Sequence, residues 1–275
     1  MTDGAMPHTT MTDATMTGTI DAAIDTAIDW RGVPVDCAAC PHAALLQAGG
    51  CRKLHACVQD RYARRVDRFF RWNASLANAY VDHPHFEVRA IAAKSADLFL
   101  LPRLLDDPDE TVRWNAVLRL PYRFLLRLRK DPHREVRIRV ACRLEIRDLL
   151  PMMSDPDYYV RLVVARRAPP ALLVTMIDDP EPEVRRVVAR RIDASALPRL
   201  AADPEAEVRL EAARRLPPGR LAGLRGDPDW RVRHEVALRI DIAQLVPMRA
   251  DPDHMVREAV LQRLQPSTQA AELAG

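Results

Sequence analysis

Eight prolines stand 24 residues apart without one insertion: Pro84, Pro108, Pro132, Pro156, Pro180, Pro204, Pro228 and Pro252. A fixed period of this length means one supersecondary unit copied along the chain, each copy burying its apolar face against its neighbours. Seven of the prolines follow aspartate (Asp107, Asp131, Asp155, Asp179, Asp203, Asp227 and Asp251), and the first follows His83. Four residues after each proline comes a valine, from Val88 to Val256, and then an arginine. The unit reads D-P-x-x-x-V-R-x-x-[AV]-[AVL]-x-R-[LIA], with Ser95 replacing the second arginine in the first repeat.

The unit is written in helix chemistry. The aspartate before proline is expected to be the N-cap, accepting hydrogen bonds from free backbone N–H groups, with proline at the first helical position. In six repeats an acidic residue follows the proline, as with Asp109 and Glu181, which suits the positive end of the helix dipole. With about 100° per residue and Val112 at the origin, Ala116 falls at about 40°, Leu120 at about 80° and Val117 at about 140°. That is one apolar stripe on a helix of about eleven to thirteen residues, ending before Pro121. Arg113 and its equivalents fall at about 100°, inside the stripe, so each needs a carboxylate from its own or the adjacent repeat. The Asp/Arg pairs therefore read as a structural ladder rather than catalytic machinery. The remaining dozen residues carry Leu101/Leu104, Leu125/Leu128, Leu149/Met152, Leu173/Met176, Leu197/Leu200, Leu221/Leu224 and Leu245/Met248. A spacing of three among many prolines predicts a short 3-10 helix rather than a second full α-helix. The outward arc of the long helices carries Trp114, Leu118, Ile138, Leu162 and Val163 in early repeats and Arg186, Arg190, Arg214 and His234 later. The early apolar patch is expected to lie under the N-terminal domain, with a partner site as the alternative.

Four of the five cysteines fall within 21 residues, as Cys37-x2-Cys40-x10-Cys51-x5-Cys57. Four thiolates satisfy either one tetrahedral zinc or a 4Fe–4S cluster in which each iron takes one sulfur. The spread second pair is unlike a zinc ribbon, and Cys40-Pro41 is similar to the Cys-Pro ending of ferredoxin-type runs, but spacing alone leaves both open. Cys142 sits on a repeat helix where its register partners are Leu118, Arg166 and Arg190, so it is expected to be incidental. His42 and His55 read as polar neighbours or surface groups rather than ligands. After Cys57, Tyr62, Val66, Phe69 and Phe70 take helical spacing among Arg61, Arg64, Arg65, Arg68 and Arg71. This predicts an amphipathic helix capping the first repeat, its arginines offsetting thiolate charge. Interleaved basic and aromatic residues also suit nucleic acid. Residues 1–30 hold five aspartates and no basic residue and are expected to be mostly a mobile tail, in which Ile20, Ile24 and Ile28 have the spacing of a short helix.

The repeats carry a family resemblance. D-P-x-x-x-V-R-x-x-[AV] resembles the first helix of HEAT-type repeats, but the period is too short for two full helices. With the Leu-x-x-Leu segment, the unit resembles the leucine-rich repeat variant family from Pro84 to about Leu264. That resemblance implies alternating α- and 3-10 helices in a right-handed superhelix. It also implies, as in some members, an N-terminal 4Fe–4S domain whose ligands fall on Cys37, Cys40, Cys51 and Cys57, and it points towards nitrogen-fixing bacteria.

Charge and composition set the outer limits. Basic and acidic residues number 41 and 38, a net charge of +3, and only Lys53, Lys94 and Lys130 are lysines. Residues 84–275 hold 33 basic and 29 acidic side chains, a surplus of +4, which argues against a polyanion tract over that length. No membrane span and no secretory signal are visible in the sequence. A cytoplasmic location follows, where clustered thiols read as metal ligands rather than disulfides. Nine glycines, no phosphate loop and no nucleophile–base pair argue against an enzyme. The organisation expected is a tail (1–30), a cysteine domain with its basic helix (31–80), an all-α solenoid of eight repeats (81–266) and a polar tail (267–275). The function expected is a non-enzymatic iron–sulfur scaffold that binds a protein partner and has a redox or sensing role. A nucleic-acid-binding HEAT-like protein and a zinc-stapled adaptor are the alternatives.

Overall fold

The computed structural model describes residues 26–265. The chain forms two compact units, one ending at Leu128 and the other beginning at Arg129. Ile20 and Ile24 lie outside the described residues. Ile28 is not helical, but forms an isolated antiparallel bridge with Pro34.

In the second unit, long helices span Arg134–Arg143, Tyr158–Arg167, Pro182–Arg191, Ala206–Arg215, Trp230–Arg239 and His254–Leu264. Sequence neighbours among them pack against each other. Val160, Val184, Val208, Val232 and Val256 are fully buried, as are Leu173, Leu197, Leu221 and Leu245 from the linking segments. Burying each such side chain contributes about 1.5–3 kcal/mol, so the core is built from many equal increments. The linking segments are 3-10 helices, as at Leu150–Ser154 and Pro170–Met176, with four-residue α-turns at Ile146–Leu149, Leu197–Leu200 and Ile242–Leu245. Those α-turns occur in the repeats that carry Glu145, Asp193 or Asp241 where the intervening repeats carry Pro169 or Pro217. Glu145 and Asp241 stand directly at the N-caps of two of these turns, where negative charge favours the α-helical N–H groups.

The aspartates before proline are not the helix N-caps. The caps stand two residues later, at Asp157, Glu181, Glu205, Asp229 and Asp253, and the helices are ten or eleven residues long. Asp157 Oδ1, for example, accepts from Tyr159 N at 2.9 Å and Val160 N at 3.3 Å. Asp155 instead closes a tight turn, Oδ1 accepting from Asp157 N at 2.9 Å. This Asx turn uses up the residues on either side of proline, so the helix begins two residues later than residue type alone suggests.

The carboxylate of that aspartate also meets the preceding repeat. Arg137 pairs with Asp155, Arg161 with Asp179, Arg185 with Asp203, Arg209 with Asp227 and Arg233 with Asp251, each through Nε and Nη2 to the two carboxylate oxygens. The adjacent repeat is therefore the partner, and the remaining Nη1 turns back to its own repeat. Arg161 Nη1 donates to the carbonyls of Asp155 at 2.9 Å and Pro156 at 3.3 Å. The second arginine of the motif has a separate task. Arg215 donates to Ala189 O at 2.9 Å, and Arg263 to Ala237 O at 2.8 Å and Ile240 O at 2.7 Å. It caps the open carbonyls at the C-terminus of the preceding repeat's helix, where positive charge is favoured.

Ile138, Leu162 and Val163, assigned by spacing to an outward patch, are buried. Tyr158–Arg167, for example, is held between Arg134–Arg143 and Pro182–Arg191, so its covered arc is wider than one stripe. Cys142, Arg166, Arg190 and Arg214 are exposed, and Arg186 and His234 are half-buried.

The first unit contains the cysteine segment, the basic helix Ala63–Trp72 and the repeat helices Phe86–Ala92 and Glu110–Arg119. Val66, Phe69 and Phe70 are each 1% exposed, and the basic helix packs against Phe86–Ala92. In this unit Trp114 is half-buried and Leu118 exposed. The cap of Glu110–Arg119 is Asp109 rather than Asp107, and Asp107 pairs with Arg89 through Nε at 2.7 Å and Nη2 at 2.8 Å. In the first repeat His83 Nδ1 accepts from His85 N at 3.1 Å, the bond that aspartate makes elsewhere. Among the described residues no repeat precedes it to supply an arginine, and a neutral imidazole acceptor at this half-buried position avoids an unpaired carboxylate.

Candidate metal centre

Residues 26–60 form no long helix, and each cysteine is set by its own short device. Ala27 and Asp29, placed by the sequence reading in the tail, are buried, at 0% and 6% exposed. Asp29 Oδ1 accepts from Arg31 N and Val33 N, both at 2.9 Å. Val35 N in turn donates to Ala27 O at 2.8 Å. This loop delivers Ala27 and Val35 to a small apolar cluster with Cys57, against which Cys37 and Leu54 pack.

Pro41 has no N–H, so the first donor after Cys40 is His42, whose N–H points at Cys40 Sγ at 3.5 Å. His42 then stands at the N-cap position of the short helix Ala43–Gln47, without a side-chain bond to it. That helix is stopped by Gly49 at φ +74°, with Gly49 N bonded to Leu46 O at 3.3 Å and Gly50 N to Leu45 O at 2.7 Å. This is a Schellman stop, for which glycine has no steric penalty, and it delivers Cys51 directly. Arg52 and Ala56 exchange two N–H to O bonds of 2.8 Å, closing a turn in which Leu54 has φ +62°. A branched side chain in that region costs about 1–2 kcal/mol, and Leu54 recovers packing against the Cys57 cluster. Cys57 follows, buried at 8% exposure, and its carbonyl accepts from Asp60 N at 3.4 Å, closing the turn that leads to the basic helix. Asp60 holds the start of the basic helix through Tyr62 N at 3.0 Å and Arg65 Nη1 at 2.8 Å.

The four cysteines interact electrostatically. Burial, then the charges of Cys40 and Cys37, push the Cys51 thiol up. Burial foremost carries Cys57 up to about 11, against the pull of the Gln59 and Asp60 N–H groups, and Asp60 and Cys40 add to the rise. Four thiolates held together without a cation are thus disfavoured, and positive iron or zinc would offset that cost. Among the described residues, no three His, Cys, Asp or Glu side chains converge tightly enough to hold a single metal ion. Donor chemistry fits a cluster: all four donors are sulfur, and each iron requires one.

The histidines near the cysteines have other partners. His42 Nε2 is 2.5 Å from the Tyr80 hydroxyl, and burial lowers its pKa. His55 Nδ1 is 2.8 Å from Arg68 Nη1, and its ring lies 5.5 Å from that of Trp72. The basic helix is largely committed as well: Arg65 to Asp60, Arg68 to His55, and Arg71 to Asp67 at 2.6 Å. Tyr80, which belongs to no motif in the sequence, lies beside this group, and burial, then the charges of Cys40 and Cys57, push its hydroxyl up to about 12. Cys142, on Arg134–Arg143, is exposed and free.

A cysteine-rich segment that matches an iron–sulfur family model, followed by 24-residue repeats of alternating α- and 3-10 helices, defines an iron–sulfur repeat protein. Residues 27–79 match the family model described as LRV protein FeS4 cluster, and residues 206–229 match leucine rich repeat variant. The solved structure titled "A leucine-rich repeat variant with a novel repetitive protein structural motif" is 40% identical, with a TM-score of 0.80 over 84% of this chain and 99% of that one. The chain belongs to the leucine-rich repeat variant family. An uncharacterized 27.7 kDa protein in the nifB 3′ region of Rhodobacter capsulatus is 49% identical over 94 residues, 34% of this chain. The match spans 38% of that relative's length. No helix among the described residues is long and apolar enough to cross a membrane.

Proposed function

We propose that the protein is a non-enzymatic scaffold whose N-terminal domain carries one 4Fe–4S cluster on Cys37, Cys40, Cys51 and Cys57, and whose repeats bind a protein partner. The observation that carries the reading is the grouping of four cysteines, Cys51 feeling the charges of Cys37 and Cys40 and Cys57 that of Cys40, with the His42 N–H directed at Cys40 Sγ at 3.5 Å. Such N–H to sulfur bonds stabilise thiolate charge and tune the potential of a bound cluster. The cluster would supply one-electron chemistry. With four cysteine ligands it has no open iron site, so the chain's own part is to hold the cluster and set its potential. Repeat side chains that would otherwise suggest catalysis or phosphate binding are paired with one another, as in the Arg161–Asp179 and Arg233–Asp251 rungs. The relative in the nifB 3′ region accords with the family's tie to nitrogen-fixing bacteria, and the cytoplasm is the compartment that suits reduced thiols. Anaerobic reduction and reoxidation, followed by absorbance and electron paramagnetic resonance, tests the redox role. Reversible bleaching with a signal in the reduced state is expected. A centre unchanged by either treatment reduces it to a structural staple.

A further inference from the structure

Tyr80 ends the 3-10 helix Ala74–Tyr80, just before the first repeat, yet its hydroxyl meets a residue 38 positions earlier. Tyr80 Oη and His42 Nε2 are 2.5 Å apart. The His42 ring is held on its other sides as well, with centroid distances of 5.4 Å to Phe69 and 5.8 Å to Tyr80. Its backbone N–H is the group that points at Cys40 Sγ at 3.5 Å. One residue therefore joins a cysteine sulfur, through its main chain, to a tyrosine hydroxyl, through its side chain. Tyr80 is itself fixed by Phe70 of the basic helix at 5.5 Å and by His83, at the head of the first repeat, at 5.9 Å. Filling space would not require the hydroxyl, because the ring contacts alone fill this site.

We propose that Tyr80 is a positioning residue for the cluster: its hydroxyl anchors the His42 ring, which holds the His42 N–H on Cys40 Sγ and ties that bond to the first repeat. The proposal rests on the iron–sulfur reading above. A peptide N–H directed at a ligating sulfur stabilises the more negative, reduced state, so loosening it lowers the midpoint potential. Tyr80→Phe keeps every ring contact and removes only the anchor.

The test uses the full chain purified without oxygen, comparing the native protein with Tyr80→Phe, His42→Ala and His42→Gln. Iron and sulfide content, midpoint potential and the reduced-state paramagnetic spectrum are measured, with circular dichroism to confirm that the repeats are folded. Tyr80→Phe and His42→Ala are expected to shift the potential downward and alter the spectrum. His42→Gln, which keeps an acceptor for the hydroxyl, is expected to lie between native and His42→Ala. Should Tyr80→Phe fail to retain the cluster, the order of the two His42 variants decides. Native potential and spectrum in all variants that retain the cluster overturn the proposal and leave the iron–sulfur reading standing. Native protein without iron and sulfide overturns both.

Discussion

Arg161 of one repeat and Asp179 of the next are joined by two parallel hydrogen bonds, Nε to Oδ2 at 2.8 Å and Nη2 to Oδ1 at 2.9 Å. Asp179 Oδ1 also accepts from Glu181 N at 2.9 Å, holding the turn that leads into the next helix. One carboxylate thus fixes both the register between repeats and the entry to a helix. A change in repeat length would break both, which explains why the period of 24 admits no insertion.

Removing that carboxylate is expected to be costly. Asp179→Ala leaves the Arg161 guanidinium, 11% exposed at its side chain, without its partner. Breaking such a pair costs about 3–5 kcal/mol. The double variant Arg161→Met with Asp179→Ala is expected to recover part of that loss, because the stranded charge is gone. Urea midpoints of the two variants check this, and equal midpoints would show that the pair contributes little beyond volume.

Val160 and Arg166 occupy one helix but opposite environments, fully buried and exposed. Val160→Asp is expected to destabilise strongly, since it buries a charge with no partner. Arg166→Ala is expected to stay within about 0.5 kcal/mol of native. Thermal melting of both distinguishes them.

Acid is expected to loosen the second unit. The Arg233 guanidinium holds the Asp251 carboxyl below its ordinary 3.8, and Arg231 brings Asp229 down to about 2. A carboxylate with a lowered folded pKa adds stability that is fully present above the unfolded value and lost as pH falls through the folded one. The melting temperature should therefore hold above about pH 5 and fall between about pH 4 and pH 2. Asp229→Asn, which keeps an acceptor for Arg231 N, is expected to make that fall shallower. A titration of melting temperature against pH reads it directly.

Cys57→Ser is expected to remove most bound iron and loosen the cysteine segment while helical signal from the repeats persists. Cys142→Ser, at an exposed thiol, is expected to leave the absorbance of the centre unchanged. Parallel iron assays on the two proteins check the assignment.

Periodicity made the repeats legible, because each position was written eight times and burial imposes the same residue type on each copy. The cap position was not legible. Asp155 and Asp157 are both acceptable N-cap types, and only the Asx turn around Pro156 decides between them. The second arginine was visible as a pattern absent only at Ser95. Its role depends on a helix C-terminus in the preceding repeat, which linear spacing does not display. At the metal centre the four cysteines stood out by clustering. His42 N–H to Cys40 Sγ and Tyr80 to His42 did not, because each depends on a backbone course set by single-copy devices, Pro41, Gly49 and the turn at Leu54.

The central claim is that the cysteine segment holds an iron–sulfur cluster, and elemental analysis of protein purified without oxygen tests it most directly. About four irons and about four inorganic sulfides per chain are predicted, with zinc absent. About one zinc per chain with no sulfide would contradict the account and make the segment a zinc staple.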